Sequence, residues 1–126
     1  MKFTVDKYDR YVVIEPLHEK LDGETAASLK GEFMLRNTGG QRNIVLDMNN
    51  VLHTDETGIR TGLLARRLCK SLGGLFILTN LNAEVLKYIK SLGLDKYLII
   101  TSNIEKAKDL IFGNEIRLDL KKEEQE

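Results

Sequence analysis

Four short apolar runs, YVVIE, NIVLDM, LFILT and YLIIT, recur along the chain with room for one helix between each pair. Each is brief and rich in β-branched or large apolar residues, so each reads as a strand. Between them the apolar positions fall at helical spacing. The first set is Ala26, Leu29, Phe33 and Leu35; the second is Ile59, Leu63, Leu64, Leu68 and Leu72; the third is Val85, Leu86, Ile89 and Leu92. A crossover helix between two strands brings the chain back in the same direction, so the later strands are expected to be parallel. KFTVDKY precedes YVVIEPL with Asp9-Arg10 between them, a hairpin signal that makes the sheet mixed, and Pro16 closes the second run. The class is α/β.

The helix ends are also marked. Gly39-Gly40, Gly73-Gly74 and Gly93 stop the first three helices. Asn82 reads as an N-cap, and Ser102 or Asn103 caps a fourth helix through Phe112. Beyond it, GNEIRLDLKKEEQE is open: Ile116, Leu118 and Leu120 alternate as in a strand, while the charged end fits helix or coil. Residues 1–112 therefore read as one domain and residues 113–126 as a charged C-terminal tail.

A chain of 126 residues can bury a core of its own. Lys plus Arg and Asp plus Glu both number 19, so no net basic charge points to direct nucleic-acid binding. YLII and LFIL fall far short of the ~20 residues that a membrane span needs. MKFTVDKYDR lacks the apolar core of a signal peptide, and the single Cys69 can form no internal disulfide; both favour a cytoplasmic setting. His18 and His53 are far apart, and no Cys or His pair has metal-ligand spacing. There is no G-x-G-x-x-G, P-loop or G-x-S-x-G, and neither Ser71 nor Thr79 has a recognisable base. A phosphoacceptor receiver domain would need an acidic pair after the first strand and a late lysine, where this chain offers Glu15-Pro16 and Thr79-Asn80. The expectation is no metal, no cofactor and no catalytic residues: a binding protein, not an enzyme.

One junction concentrates the chemistry, VLHTDETGIRTG, where the second strand-like core run hands over to the second helix. In α/β sheets the functional loops gather at the carboxyl ends of strands, where Asp47 to Thr57 falls. Asp55 is a natural N-cap, and Glu56 suits the positive end of the helix dipole. A cap does not explain Gly58 and Gly62, four apart on one helix face and each costing ~1 kcal/mol relative to alanine. Something sits close to that backbone, either a neighbouring element or a partner. Bare backbone beside Thr57 leaves its hydroxyl open, and a phosphoryl group there would add about −1.5 to −2 charge next to Asp55 and Glu56. The helix continues with Arg60, Arg66, Arg67 and Lys70 and no acid from residue 58 to 72, a solvated face or a docking surface for an acidic partner helix. His53 reads as a structural or partly buried imidazole, and Cys69 as a small core residue.

LDGETAASL, followed by NIVLDMNNVLHTDETGIRTGLL, resembles the STAS domain family, and within it the bacterial anti-sigma factor antagonists. There a strand of the form V-L-D-L leads through a short loop to D-S-S-G or D-S-T-G at a helix start; here the place reads Asp55-Glu56-Thr57-Gly58. Lys20-Leu21-Asp22 with Thr25-Ala26 matches part of the earlier G-x-L-D-x-x-T-A signature, and Asn82, Val85, Ile89, Gly93 and Leu94 echo a later one. The resemblance runs from Lys2 to about Phe112 and implies a single STAS-like domain, a mixed β-sheet with about four helices.

It further implies a partner-switching regulator that binds an anti-sigma factor, itself a serine/threonine kinase-like protein. That kinase phosphorylates the antagonist, and a PP2C-type phosphatase resets it. Carried over by position, Thr57 is the phosphoacceptor, with Asp22, Asp55, Glu56, Gly58, Arg60 and Thr61 at the partner-binding surface. Glu56 replaces a second hydroxyl, Arg60 a small residue and His53 a bulky apolar one. A carboxylate beside the acceptor would imitate phosphorylation permanently. The alternative is then an unphosphorylated interaction module, a scaffold or lipid-transport complex subunit.

Overall fold

The expected hairpin forms between β1 (Phe3–Lys7) and β2 (Val12–Pro16), which pair antiparallel, with the Tyr8 amide donating to the Tyr11 carbonyl at 2.9 Å across the turn. The computed structural model describes residues 2–125; residues 1 and 126, the outer ends of the two segments expected from the sequence, lie outside the described residues. After β2 come β3 (Lys20–Leu21), α1 (Gly23–Thr38), β4 (Ile44–Asp47), β5 (His53–Thr54) and α2 (Glu56–Ser71). Then follow β6 (Phe76–Thr79), α3 (Ala83–Ser91), a 3-10 turn (Asp95–Tyr97), β7 (Ile99–Thr101) and α4 (Ile104–Gln125). The main sheet has the order β1-β2-β4-β6-β7, and β2, β4, β6 and β7 are parallel, as the crossover helices require.

Strands buried on both faces explain why the core runs are continuously apolar rather than alternating. Val12, Ile14, Ile44, Leu46, Phe76 and Leu78 point to one face, where Leu29 and Phe33 of α1, Ile59 and Ala65 of α2, and Val85 and Ile89 of α3 cover them. Phe33 and Phe76 meet edge to face with centroids 5.5 Å apart. Val13, Val45 and Ile77 point to the other face, which α4 covers with Ala107 and Ile111.

Two apolar positions expected at helix faces lie outside the core. Leu35 is 58% exposed and Leu72 38%. The face that α2 buries consists of Gly58, Ile59, Gly62, Ala65 and Cys69, with Leu63, Leu64 and Leu68 half-buried on its flanks. The helix lies on the sheet here, and a Cβ on Gly62 would meet the Phe76 ring at 3.5 Å, an ordinary van der Waals distance. Burial pushes the Cys69 thiol up to about 12, which leaves it an inert part of the core.

The fourth helix does not end at Phe112 but continues unbroken to Gln125. Gly113 is exposed with open space around it, so it costs propensity without breaking the ladder. What fixes the extension is long-range. Glu115, 4% exposed, accepts from Arg42 Nε at 2.9 Å, from Arg42 Nη2, from Asn43 Nδ2 at 2.5 Å and from Arg10 Nη1 at 3.4 Å. Asn114 Nδ2 donates to the Gly73 carbonyl at 3.0 Å. Strand-like alternation of Ile116, Leu118 and Leu120 is thus helix surface: Leu118 is half-buried, and the other two are exposed.

Candidate functional site

At the carboxyl end of β4, Asp47 Oδ1 accepts from the Asn49 amide and from Asn80 Nδ2, closing the strand end. The chain then plugs the sheet with Met48 and Val51 and emerges as β5, which pairs with β3 in a second, two-stranded parallel sheet. The Asp55 amide also donates to the Leu21 carbonyl, at 3.3 Å. This small sheet brings the start of α2 beside the start of α1.

Asp55 bridges the two helix starts. Its Oδ1 accepts from the Gly58 amide at 2.8 Å as the N-cap of α2, and its Oδ2 accepts from the Gly23 amide of α1 at 3.3 Å. Asp22 caps α1 in a reciprocal box: its carboxylate accepts from the Thr25 amide at 3.0 Å, while its own amide donates to the Thr25 hydroxyl at 2.9 Å. The Thr25 amide, helped by its hydroxyl, holds the Asp22 carboxyl below the usual carboxylate range. Asp22 is therefore near the junction but committed to its own helix.

Gly58 is required by a neighbouring element. A Cβ there would lie 2.2 Å from the Leu21 carbonyl oxygen and 2.6 Å from Thr54 Oγ1. Thr54 Oγ1 in turn donates to Leu21 O at 2.8 Å, so β3 and β5 press directly on the first turn of α2. The sequence pair thus splits: the small sheet requires Gly58, whereas Gly62 has room for a Cβ against the main sheet.

Thr57 is exposed, and its Cγ2 lies 3.5 Å from where a Cβ on Gly23 would stand. It opens a groove of about 360 Å³ between α1 and α2, shared with Ala26, Lys30, Arg60, Thr61 and Arg67. Glu56 does not line the groove itself but pairs with Arg60, which does, at 2.7 Å one helical turn on. The structure thus gathers Thr57, Arg60 and Thr61 into one groove, sets Asp55 and Gly58 beneath it as framework, and leaves Glu56 and Asp22 off its lining. Lys30 and Arg67 were not singled out together from sequence. Arg67 belonged to the basic run; Lys30 gave no signal, because only helix packing brings it there.

His53 is exposed rather than partly buried, its Nδ1 3.1 Å from Glu84 Oε1 at the start of α3. The carbonyl of its neighbour Leu52 accepts from Asn82 Nδ2 at 3.1 Å, so the N-cap of α3 anchors the same loop. Among the described residues, no group of three His, Cys, Asp or Glu side chains is placed to hold a metal ion.

A mixed five-stranded sheet with three helices on one face and a single helix on the other defines a small α/β domain whose capped helix starts form its most built surface. The chain belongs to the STAS domain family, whose sequence model matches residues 2–107. Among solved structures it is similar to TM1081 of Thermotoga maritima, a proposed anti-sigma factor antagonist, at 23% identity and a TM-score of 0.79 over 86% of this chain and 93% of that one. It is similar to the Bacillus anti-sigma factor antagonist SpoIIAA in its unphosphorylated form, at 20% identity and a TM-score of 0.69 over 89% and 99%. SpoIIAA is also known in its phosphorylated form. A serine-to-glutamate variant of Moorella thermoacetica RsbS matches at 26% identity and a TM-score of 0.71 over 87% and 97%.

Proposed function

We propose that this protein is an anti-sigma factor antagonist that works by partner switching, binding a serine/threonine kinase-like anti-sigma factor and releasing it on phosphorylation of Thr57. The observation that carries the reading is the exposed Thr57 hydroxyl residue at the mouth of the α1/α2 groove, on a helix start fixed by Asp55. The reading is further supported by the similarity to SpoIIAA, known in both unphosphorylated and phosphorylated forms. Such a protein acts by binding, not catalysis, in the cytoplasm, with a PP2C-type phosphatase to reset it and no direct contact to nucleic acid. No helix among the described residues is long and apolar enough to cross a membrane.

Phosphorylation would change charge at a place built to tolerate it. Thr57 lies in the first turn of α2, where the helix dipole favours an anion, and Arg60 already neutralises Glu56. The added charge would therefore leave the fold intact while offsetting much of the positive charge that Lys30, Arg60 and Arg67 give the groove. A partner docked there through acidic groups would lose that attraction and meet a like charge at Thr57. Part of the partner surface is then Asp55, Glu56, Arg60 and Thr61, with Asp22 at its edge, and the buried Gly58 serves it only by fixing the start of α2.

A second reading rests on Glu56. Its carboxylate stands one residue from the acceptor and is tied to Arg60, so this surface is the interface of an unphosphorylated module, a scaffold or lipid-transport complex subunit. Tagged wild type, Thr57→Ala and Thr57→Asp, each used to capture partners from native lysate, separate the two. The switch predicts that wild type and Thr57→Ala retain the same kinase-like protein and that Thr57→Asp binds it at least tenfold more weakly, about 1.4 kcal/mol. Equal retention by all three supports the constitutive module.

A further inference from the structure

The basic run of α2 is not one surface. Arg60 and Arg67 line the groove beside Thr57, whereas Arg66 and Lys70 turn to the opposite flank and line a separate pocket of about 380 Å³. There they meet Lys96 from the 3-10 turn and Arg117 from α4, over an apolar floor that includes Phe76 and Leu98. Four basic residues from three separate elements line one concavity, and among the described residues its lining carries no carboxylate. Asp95 and Asp119, next in sequence to lining residues, are outside it. None of the four cations forms an ion pair among the described residues.

Like charges gathered over apolar surface repel one another, and Arg66 with Lys70 also stand at the unfavourable i,i+4 spacing. An anion relieves both. The apolar floor and the Tyr97 ring, which Lys96 Nζ approaches to 5.6 Å from the centroid, add a preference for a carbon body. The volume falls within the range of small-molecule sites, too small for a docking helix.

We infer that this pocket is a binding site for a small organic anion, an apolar or aromatic body carrying a phosphate, sulfonate or carboxylate. It is independent of the Thr57 surface: from Thr57 to Lys70 the helix rises roughly 20 Å. Asn114 shapes its wall, with Nδ2 given to the Gly73 carbonyl and Oδ1 accepting from Arg117 Nη2 at 2.5 Å, which orients that guanidinium.

The test is a fluorescence titration with anilinonaphthalene sulfonate on the folded full chain, with competition by phenyl phosphate, inorganic phosphate and benzyl alcohol. The expected result is saturable binding to one site, displaced by phenyl phosphate at least tenfold more effectively than by either fragment alone. Arg66→Gln combined with Lys96→Gln weakens it at least tenfold, and Lys70→Gln with Arg117→Gln does the same from the other walls. All variants keep a thermal midpoint at or above the wild-type one, since each removes two of the mutually repelling charges, and they keep their binding to whatever protein the Thr57 surface retains. Absence of saturable binding, or binding unchanged in both double variants, overturns the proposal. So does sedimentation with phosphatidylglycerol vesicles without binding of the soluble probes, which would make the cations a membrane-facing patch.

Discussion

Gly58 shows how a single missing side chain holds the junction together. The Leu21 carbonyl oxygen occupies the space a Cβ would need, and that carbonyl is fixed in turn by the Thr54 hydroxyl and the Asp55 amide. Backbone pressed on backbone has no flexible end to give way. Gly58→Ala is expected to destabilise by about 1–3 kcal/mol, the usual cost of overpacking. Gly62→Ala meets only ordinary contact with the Phe76 ring and gains helix propensity, so it should be neutral or stabilising by up to ~1 kcal/mol. Urea unfolding of the two variants checks the contrast; equal losses would show that the small sheet does not press on α2. Asp55→Ala should cost ~1 kcal/mol through its cap, and it also frees the Gly23 amide of α1. The motif glycines and the cap were visible as residues in the sequence. Their reasons were not, because β3 and β5 are two residues each and leave no periodic signal.

Among the elements, α4 departs most from what its own residues suggest. Locally, Gly113 and the alternating Ile116, Leu118 and Leu120 argue for a break, yet Glu115 anchors the helix to residues more than seventy positions earlier. Sequence periodicity cannot report a contact of that kind, whereas the glycine stops of α1, α2 and α3 and the caps Asp55 and Asn82 are local and were readable. Arg42 beside Glu115, with Asn43 adding to it, holds this carboxyl below the usual range. The unfolded chain therefore binds a proton more readily than the folded one. The resulting stability is fully present above the unfolded value of about 4.3 and is lost as pH falls through the folded one. Glu115→Gln should lower stability at neutral pH by about 1–3 kcal/mol and flatten the fall below pH ~4.3. Thermal unfolding against pH reads both; an unchanged acid limb would contradict the role given to Glu115. Ending the chain after Phe112 removes Asn114 and Glu115 together and should cost at least about 2 kcal/mol, whereas ending it after Leu120 should be nearly silent.

Across the molecule, α2 joins two surfaces that the sequence presented as one basic run. Its start, fixed by Asp55 and the small sheet, carries Thr57 to the α1/α2 groove; its far end contributes Arg66 and Lys70 to a pocket against α4. The parallel run of the later strands and the mixed sheet followed from the crossover helices and the opening hairpin, whereas the strand order and the face each helix covers did not. Lys30 in the groove and Arg117 in the pocket depended on how distant helices pack, which one sequence does not display. A core independent of both surfaces lets the Thr57 region change charge without unfolding. Thr57→Asp is therefore expected to keep wild-type stability within ~0.5 kcal/mol, as for a surface change, while losing its partner. The measurement that bears most directly on the proposed switch is site-resolved mass spectrometry of the chain after incubation with its captured kinase-like partner and ATP, with bound and released fractions read separately. The account predicts one phosphoryl group, on Thr57, confined to the released fraction. Modification elsewhere, none at all, or phosphorylated Thr57 still in the bound fraction would contradict it.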